Sequence, residues 1–255
     1  MLTLKLDLSE GKRAYFASDF HLGAPNYEVS AERERRLVAW LNRIESECEH
    51  LFLLGDLFDF WFDYQYVVPK GFVRFLGKLA ELSDKGIKIY IFTGNHDMWM
   101  FGYLNQEIGA QIFRSPVEVK WAQHNFMVGH GDGLGPGDHL YKFLKRVFSN
   151  RLCQRLFAFL HPRIGIGIAK MWSGHSRITN HKDETFLGEA EFLWQFCKAQ
   201  EAEKHHDAYI FGHRHLPLDL PVGNSSRYLN LGEWMNHNRY LVWDGSELQM
   251  QTFTT

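Results

Sequence analysis

Between residues 13 and 97 the chain alternates apolar segments with amphipathic ones, and every apolar segment stops at a polar cluster. No other feature constrains the fold as much. Parallel strands need long crossovers, and helices are the usual ones. Residues 13–18 read as a short buried strand ending at Asp19. Residues 30–49 read as an amphipathic helix, with Ser30 as N-cap and Leu37, Val38, Leu41 and Ile44 as its apolar stripe. Residues 51–54 form a second strand that stops at Gly55-Asp56. A helix over 70–84, closed by Gly86, leads to a third strand at 87–92, which stops at Gly94-Asn95-His96-Asp97. The expected class is α/β.

Further along, residues 117–128 read as a hairpin broken at 123–125, stopping at Gly129-His130-Gly131-Asp132. Residues 134–177 leave the alternation and read as a helical insertion. A helix over 183–204 precedes a strand at 208–211, which stops at Gly212-His213-Arg214-His215. The alternation of 226–253 predicts antiparallel strands. No repeat, low-complexity tract or linker divides the chain, so one domain over 1–255 is expected, with a cap at 134–177 inside it.

Five clusters follow strands: Asp19-x-His21, Gly55-Asp56-x-x-Asp59, Gly94-Asn95-His96-Asp97, Gly129-His130-Gly131-Asp132 and Gly212-His213-Arg214-His215. In parallel α/β sheets the carboxyl ends of the strands share one edge, where ligands bind. Asp, Asn and His without Cys suit Mn²⁺, Fe²⁺ or Zn²⁺ bound through oxygen and imidazole. Two such ions can share one carboxylate and clamp the oxygens of a phosphoryl displacement. Asp19-x-His21 alone more often marks a turn or cap, and Gly94-Asn95-His96-Asp97 alone reads as a plain type I′ turn, so only the five together point to metal. The remaining histidines, such as His124, His139 and His206, read as ordinary core or surface residues.

Composition narrows the classes further. A net charge of −2 argues against a surface that binds nucleic acid all over and leaves room for a local basic patch. The three cysteines show no CxxC spacing and read as reduced thiols. No apolar run reaches a signal peptide or a span of about 18 residues, so a cytoplasmic protein is expected.

The five motifs, in this order, resemble those of the calcineurin-like metallophosphoesterases over essentially the whole chain outside the insertion. The resemblance implies a sandwich of two mixed β-sheets flanked by helices. It also implies two divalent ions, one on Asp19, His21, Asp56 and His215, the other on Asp56, Asn95, His130 and His213, with Asp56 bridging. His96 is then a phosphate-contacting general acid or charge stabiliser. Asp59 and Asp97 would orient ligands, and for Asp97 a turn role reads as well.

The insertion bears on substrate. Its Lys and Arg side chains, among them Lys142, Lys145, Arg146, Arg151 and Arg155, face the single acid Asp138. Leu140, Leu144, Val147 and Phe148 recur at helical spacing, as do Leu152, Leu156, Phe159 and Leu160. A basic amphipathic segment is what a membrane contact or an acyl-chain site looks like. A cap packed on the core with solvated cations would read the same way. An apolar, Phe-rich lining suits lipid better than nucleic acid.

The run Gly55-Asp56-Leu57-Phe58-Asp59-Phe60-Trp61 and the Asp138–x–x–Tyr141 unit are similar to motifs of the UDP-2,3-diacylglucosamine pyrophosphatases. Those enzymes cleave the pyrophosphate of their substrate to UMP and 2,3-diacylglucosamine 1-phosphate in lipid A synthesis. The resemblance implies water attack on the α-phosphorus, Mn²⁺ as the usual metal, and peripheral work at the cytoplasmic face of the inner membrane. Substrate contacts are then expected from Asn95, His96, Asp138 and Tyr141, acyl contacts from Phe143 and Phe157, and polar contacts from Arg177 and Lys182 on charge and position. The third motif carries His96 where that family commonly has Arg. A soluble metallophosphoesterase acting on another phosphodiester or phosphomonoester is the alternative, and a non-catalytic membrane scaffold a more distant one.

Overall fold

The computed structural model describes residues 1–168, 171 and 185–254. One six-stranded sheet joins β2 (Arg13–Ala17), β3 (Cys48–Leu54), β4 (Lys88–Phe92), β5 (Gln111–Phe113), β11 (Arg239–Trp243) and β12 (Leu248–Thr252). Its order is β12-β11-β2-β3-β4-β5, and β2 to β5 run parallel. The second joins β1 (Thr3–Leu6), β6 (Val117–Trp121), β7 (His124–Val128), β8 (Ala208–Phe211), β9 (Pro217–Val222) and β10 (Ser226–Leu231) in the order β1-β6-β7-β8-β10-β9. Both sheets are mixed, as the resemblance implied.

Side-chain parity explains the layers. Phe16, Phe52, Leu54, Tyr90 and Phe92 face the other sheet, where Val119, Phe126, Val128 and Ile210 meet them. The alternate residues Tyr15, Leu51, Leu53, Ile89 and Ile91 face α1 (Tyr27–Ile44) and α2 (Val73–Asp84). Strands covered on both faces must be apolar at every position, which is why these segments read as runs. On the far side, α7 (Phe192–Glu203) buries Leu193 and Cys197 against Tyr209, Phe211 and Tyr228.

Several boundaries differ from expectation. Helix α1 starts at Tyr27 because Asn26 caps it, accepting the Val29 N–H at 3.0 Å. Ser30 lies inside the first turn, where its hydroxyl accepts the Gly23 N–H at 2.7 Å. The helix ends at Ile44, and Cys48 already belongs to β3, so 30–49 merged two elements. Helix α2 begins at Val73, since Gly71 and Phe72 have φ of 114° and 60°. The helix expected over 183–204 is, among the described residues, a 3₁₀ turn at Gly188–Ala190 followed by α7. Strands β1, β5 and β9 and helix α3 (Tyr103–Ile108) were not anticipated, being three to six residues long with little periodicity.

Within the insertion stand α4 (His139–Phe148), α5 (Arg151–Ala158) and α6, described over residues 162–168. Neither α4 nor α5 has a buried residue. They rest over the strand ends through aromatic contacts of Phe148 and Phe157 with Trp99 and polar contacts of Tyr141 and Lys145 with Asp132.

Candidate metal centre

Five loops meet where the carboxyl ends of β2, β3, β4, β7 and β8 come together. The β2 and β3 loops continue the sheet ladder, with the Asp19 N–H on the Gly55 carbonyl at 3.0 Å and the His21 N–H on the Asp56 carbonyl at 2.9 Å. Asp19, His21, Asp56, His213 and His215 all have positive φ, between 43° and 71°. Non-glycine residues rarely hold this conformation, and each costs about 1–3 kcal/mol. Such strain concentrated in ligating residue types marks a functional site. Glycine is required beside them: a Cβ on Gly55 would stand 2.7 Å from His130 Nδ1, and one on Gly94 or Gly212 would collide with the Asp56 or Asp19 carboxylate.

Two donor groups share Asp56. Ligating atoms of Asp19, His21, Asp56 and His215 lie within 4.8 Å of one another, as do those of Asp56, His130 and His213. Asn95 joins the second group, its Oδ1 3.2 Å from His130 Nε2 and 3.0 Å from His213 Nδ1. The structure thus brings together all seven residues expected to hold metal. Asp19 Oδ2 accepts the His213 N–H at 3.0 Å, while Oδ1 is buried and receives no hydrogen bond. His215 Nε2 and His21 Nε2 converge on that oxygen from 3.3 and 3.8 Å. Lone pairs aimed at one point, from oxygen and imidazole without thiolate, fit a hard or borderline divalent cation.

Electrostatics agree. Burial opposes charge on Asp56, but His130, His96 and His21 outweigh it and hold the carboxyl well below its usual range. Burial likewise opposes charge on His130, and the Asp56 carboxylate overcomes it, raising the imidazole to about 10. His213 is pushed down to about 4 by burial and by His130. Buried carboxylates here demand positive charge, which a metal supplies with neutral imidazoles. His130 Nδ1 lies 2.7 Å from the Leu54 carbonyl, which leaves Nε2 as the ligating atom.

His96 sits at the edge of the first group. Its Nδ1 is 3.2 Å from the Asp59 carbonyl, its N–H donates to Asp56 Oδ1 at 2.8 Å, and its ring meets His21 edge-on at 4.9 Å. Asp97 is wholly buried and accepts N–H groups of Gly94 at 2.8 Å and Leu57 at 2.7 Å. Burial and the Asp56 charge push its carboxyl up to about 7.

The cap residues divide. Asp138 is the N-cap of α4 and accepts the Tyr141 N–H at 3.3 Å. The Tyr141 hydroxyl donates to the Asp132 carboxylate, which also takes Lys145 at 2.7 Å. Phe157 packs among aromatic rings from the second and third motif loops, 4.7 Å from Trp99, 5.0 Å from Phe62 and 6.3 Å from Phe60. Phe143 instead stands 59% exposed on α4, away from that bed. Arg177 and Lys182 lie outside the described residues.

Sequence reasoning missed three supports. Arg33 is buried on α1 and donates to the carbonyls of Phe20 and His21 at 2.9 and 2.8 Å, holding the first motif. Its place in register with Leu37 and Leu41 on the apolar stripe was the available signal. Arg214, between two ligands, forms a buried pair with Glu191 at 2.6 Å. Asn230 donates to the Gly212 carbonyl. Nothing local distinguishes Glu191 or Asn230 in sequence.

The model of the calcineurin-like phosphoesterase family matches residues 12–217. A UDP-2,3-diacylglucosamine hydrolase of Porphyromonas gingivalis is 41% identical, covering 94% of this chain and 97% of its own. The enzyme of that name from Haemophilus influenzae strain Rd is 27% identical, covering 92% and 96%. Among solved structures, Yfce, a phosphoesterase from E. coli, aligns with a TM-score of 0.46 at 17% identity, covering 94% of this chain and 92% of that one. The chain belongs to the calcineurin-like phosphoesterase family and stands within it beside the UDP-2,3-diacylglucosamine hydrolases.

Proposed function

We propose that the protein hydrolyses the pyrophosphate of UDP-2,3-diacylglucosamine, giving UMP and 2,3-diacylglucosamine 1-phosphate. The observation that carries this reading is a shared-carboxylate metal centre set beside an aromatic bed under a basic cap. The full-length relative from Porphyromonas carries the matching name. Asp19, His21, Asp56 and His215 would hold one divalent ion, and Asp56, Asn95, His130 and His213 the other. Bound there, such ions would neutralise phosphate oxygens and lower the pKa of water, so that hydroxide would be available at neutral pH to attack phosphorus.

The chain's own residues do the rest. His96 Nδ1 faces the Asp59 carbonyl, which fixes the ring at the edge of the first ligand group, where it would contact a phosphate held by the metals. Asp97 holds the β3 and β4 loops together, so Asp56 and Asn95 keep one geometry. Phe60, Trp99 and Phe157, backed by the buried Phe62, offer apolar surface to acyl chains, where each buried methylene contributes about 0.8 kcal/mol.

Manganese is the proposed metal, on the strength of an all-oxygen-and-imidazole donor set. The proposed place of work is the cytoplasmic face of the inner membrane, reached by the cap. Leu140, Phe143, Leu152, Leu156 and Phe159 are 59–88% exposed there, with Arg146, Arg151 and Arg155 interspersed. Apolar side chains with basic neighbours suit an anionic lipid surface. No described helix is long and apolar enough to cross a membrane.

The test is UMP release from UDP-2,3-diacylglucosamine by the Mn²⁺-loaded protein, beside an aryl phosphodiester. Fast UMP release with slow aryl hydrolysis is expected. Aryl hydrolysis without UMP release would leave a phosphoesterase of another substrate.

A further inference from the structure

A cavity of about 410 Å³ lies beneath the cap, next to the second group of ligands. Gly94, the neighbour of Asn95, and Asp132, two residues past His130, form its inner wall. Its outer wall is Lys145 and Ser149 from α4 and its C-cap, with Arg151 and Gln154 from α5. Thr93, Met98, Phe101 and Arg114, the last from the loop after β5, complete it. A smaller cavity shares Thr93, Arg114, Asp132 and Lys145 with it and reaches His130 itself.

The lining has an unusual balance. Three cations, Arg114, Lys145 and Arg151, face one acid, Asp132. That acid is already held by Lys145 at 2.7 Å and by the Tyr141 hydroxyl. The Arg114 guanidinium is anchored on the Met100 carbonyl, which leaves further N–H groups of its five for a ligand. Gln154 donates to the Phe148 carbonyl at 3.0 Å, so its amide oxygen remains an acceptor. The Phe101 ring is 43% exposed and braced edge-on by Phe62 at 5.5 Å. Met98 and Phe101 give this lining apolar surface, but its three cations and Gln154 suit a polar ligand better than an acyl chain, which fits the bed around Phe157.

We infer that this cavity binds the nucleoside monophosphate end of the substrate. This rests on the proposed pyrophosphatase reading, which requires a polar end and an apolar end to leave the metal centre in different directions. The volume falls within the ordinary range of small-ligand pockets, about 300–1,000 Å³. Arg114 and Arg151 meet phosphate and ribose oxygens, Phe101 offers a ring face to the base, and Ser149 and Gln154 offer one donor–acceptor edge to its polar atoms. Because Arg151, Ser149 and Gln154 belong to the cap and Arg114 to the core, the nucleotide bridges the two. They are positioning and specificity residues, and none touches the reacting phosphorus.

The test measures binding of UMP to the Mn²⁺-loaded protein by calorimetry, with glucosamine 1-phosphate and inorganic phosphate as separate probes. Arg114→Ala, Arg151→Ala and Phe101→Leu are compared with the parent, each checked for manganese affinity and thermal midpoint. The expected result is UMP binding in the parent that weakens about tenfold in each arginine variant, the usual scale for a charge-assisted contact, and about threefold or more in Phe101→Leu, which loses the ring face. KM for UDP-2,3-diacylglucosamine should rise in proportion, the mark of binding made equally in ground and transition states. UMP affinity unchanged in Arg151→Ala and Phe101→Leu overturns the inference, as does a loss confined to glucosamine 1-phosphate or to phosphate. A parent that binds UMP with this sensitivity yet releases none from the lipid substrate sinks the proposed function and leaves the nucleotide site standing.

Discussion

Asp97 Oδ2 lies 2.7 Å from the backbone nitrogen of Leu57, so the loop after β4 clasps the loop after β3. The other oxygen takes the Gly94 N–H at 2.8 Å and the Asp56 N–H at 3.3 Å. One buried carboxylate therefore sets the backbone of both Asp56 and the third motif. Replacing it by Asn puts an amide NH₂ among N–H donors. Asp97→Asn should lower Mn²⁺ affinity and kcat by about 10–100-fold, the usual range for loss of a ligand-orienting group. Calorimetric metal titration beside turnover reads both, and retention of full metal affinity would remove the orienting role.

Gly94 offers a sharper probe, because a Cβ there collides with the Asp56 carboxylate itself. Its backbone conformation is open to other residues, so Gly94→Ala acts through that collision alone. Displacement of a reacting-site group by about 1 Å costs about 100-fold in rate. A loss of that size is expected for Gly94→Ala, while Gly77→Ala, which meets nothing on α2, should leave turnover intact. Parallel kcat measurements decide between them.

The convergence of the donor side chains was legible in sequence because they sit in local motifs, each tied to a strand end. Parallel pairing brings the ends of β2, β3 and β4, with Asp19, Asp56 and Asn95, to one edge of the first sheet, and the ends of β7 and β8, with His130 and His213, to one edge of the second, while the meeting of the two edges rests on the packing of the sheets. The strands β2, β3 and β4 were legible as well, since burial on both faces leaves uninterrupted apolar runs. The supports around the centre were not. Glu191 reaches Arg214 across 23 residues, and Asn230 reaches Gly212 across 18. Such pairings carry no periodicity. The start of α1 was misplaced for a different reason. Asn26 and Ser30 are both competent caps, and only the chain path through Gly23 and Pro25 assigns Ser30 to the Gly23 N–H instead.

Phe143 and Phe157 read alike in sequence and differ in the structure. Phe157 closes an aromatic bed with Trp99 and Phe62, and Phe143 projects from α4. Phe157→Ala should raise KM for the long-chain substrate about tenfold or more over its effect on a water-soluble ester, in line with loss of a large apolar contact. Phe143→Ala should instead weaken sedimentation with anionic vesicles. Equal KM effects of Phe157→Ala on both substrates would remove the acyl-chain assignment.

Metal removal should act on stability as well as on rate. Ligands that bind only the folded state stabilise it by mass action, about 2.7 kcal/mol at a hundredfold excess over Kd. With two groups of buried donors built around shared Asp56, chelation by EDTA should abolish turnover and lower the thermal midpoint by several degrees. Restored manganese should recover both. A midpoint indifferent to chelation would place the bound ions outside these donors.

Acid stability should depend on Glu118, remote from the metal. This β6 carboxylate is buried and joins Thr3 Oγ1 at 3.0 Å, His206 Nε2 at 3.2 Å and the Lys204 ammonium at the end of α7. Burial opposes its charge, yet Lys204, Thr3 and His206 outweigh that and hold the carboxyl at about 2. In the unfolded chain it titrates near 4.3, so the folded value is the lower one. Its contribution is then fully present above about pH 4.3 and is lost as pH falls toward about 2. Glu118→Gln should lower the thermal midpoint by several degrees at pH 7, and the gap to the parent should close steadily between pH 5 and 2. A gap that stays constant across this interval would show that the carboxylate's charge contributes nothing to the link between β6 and α7.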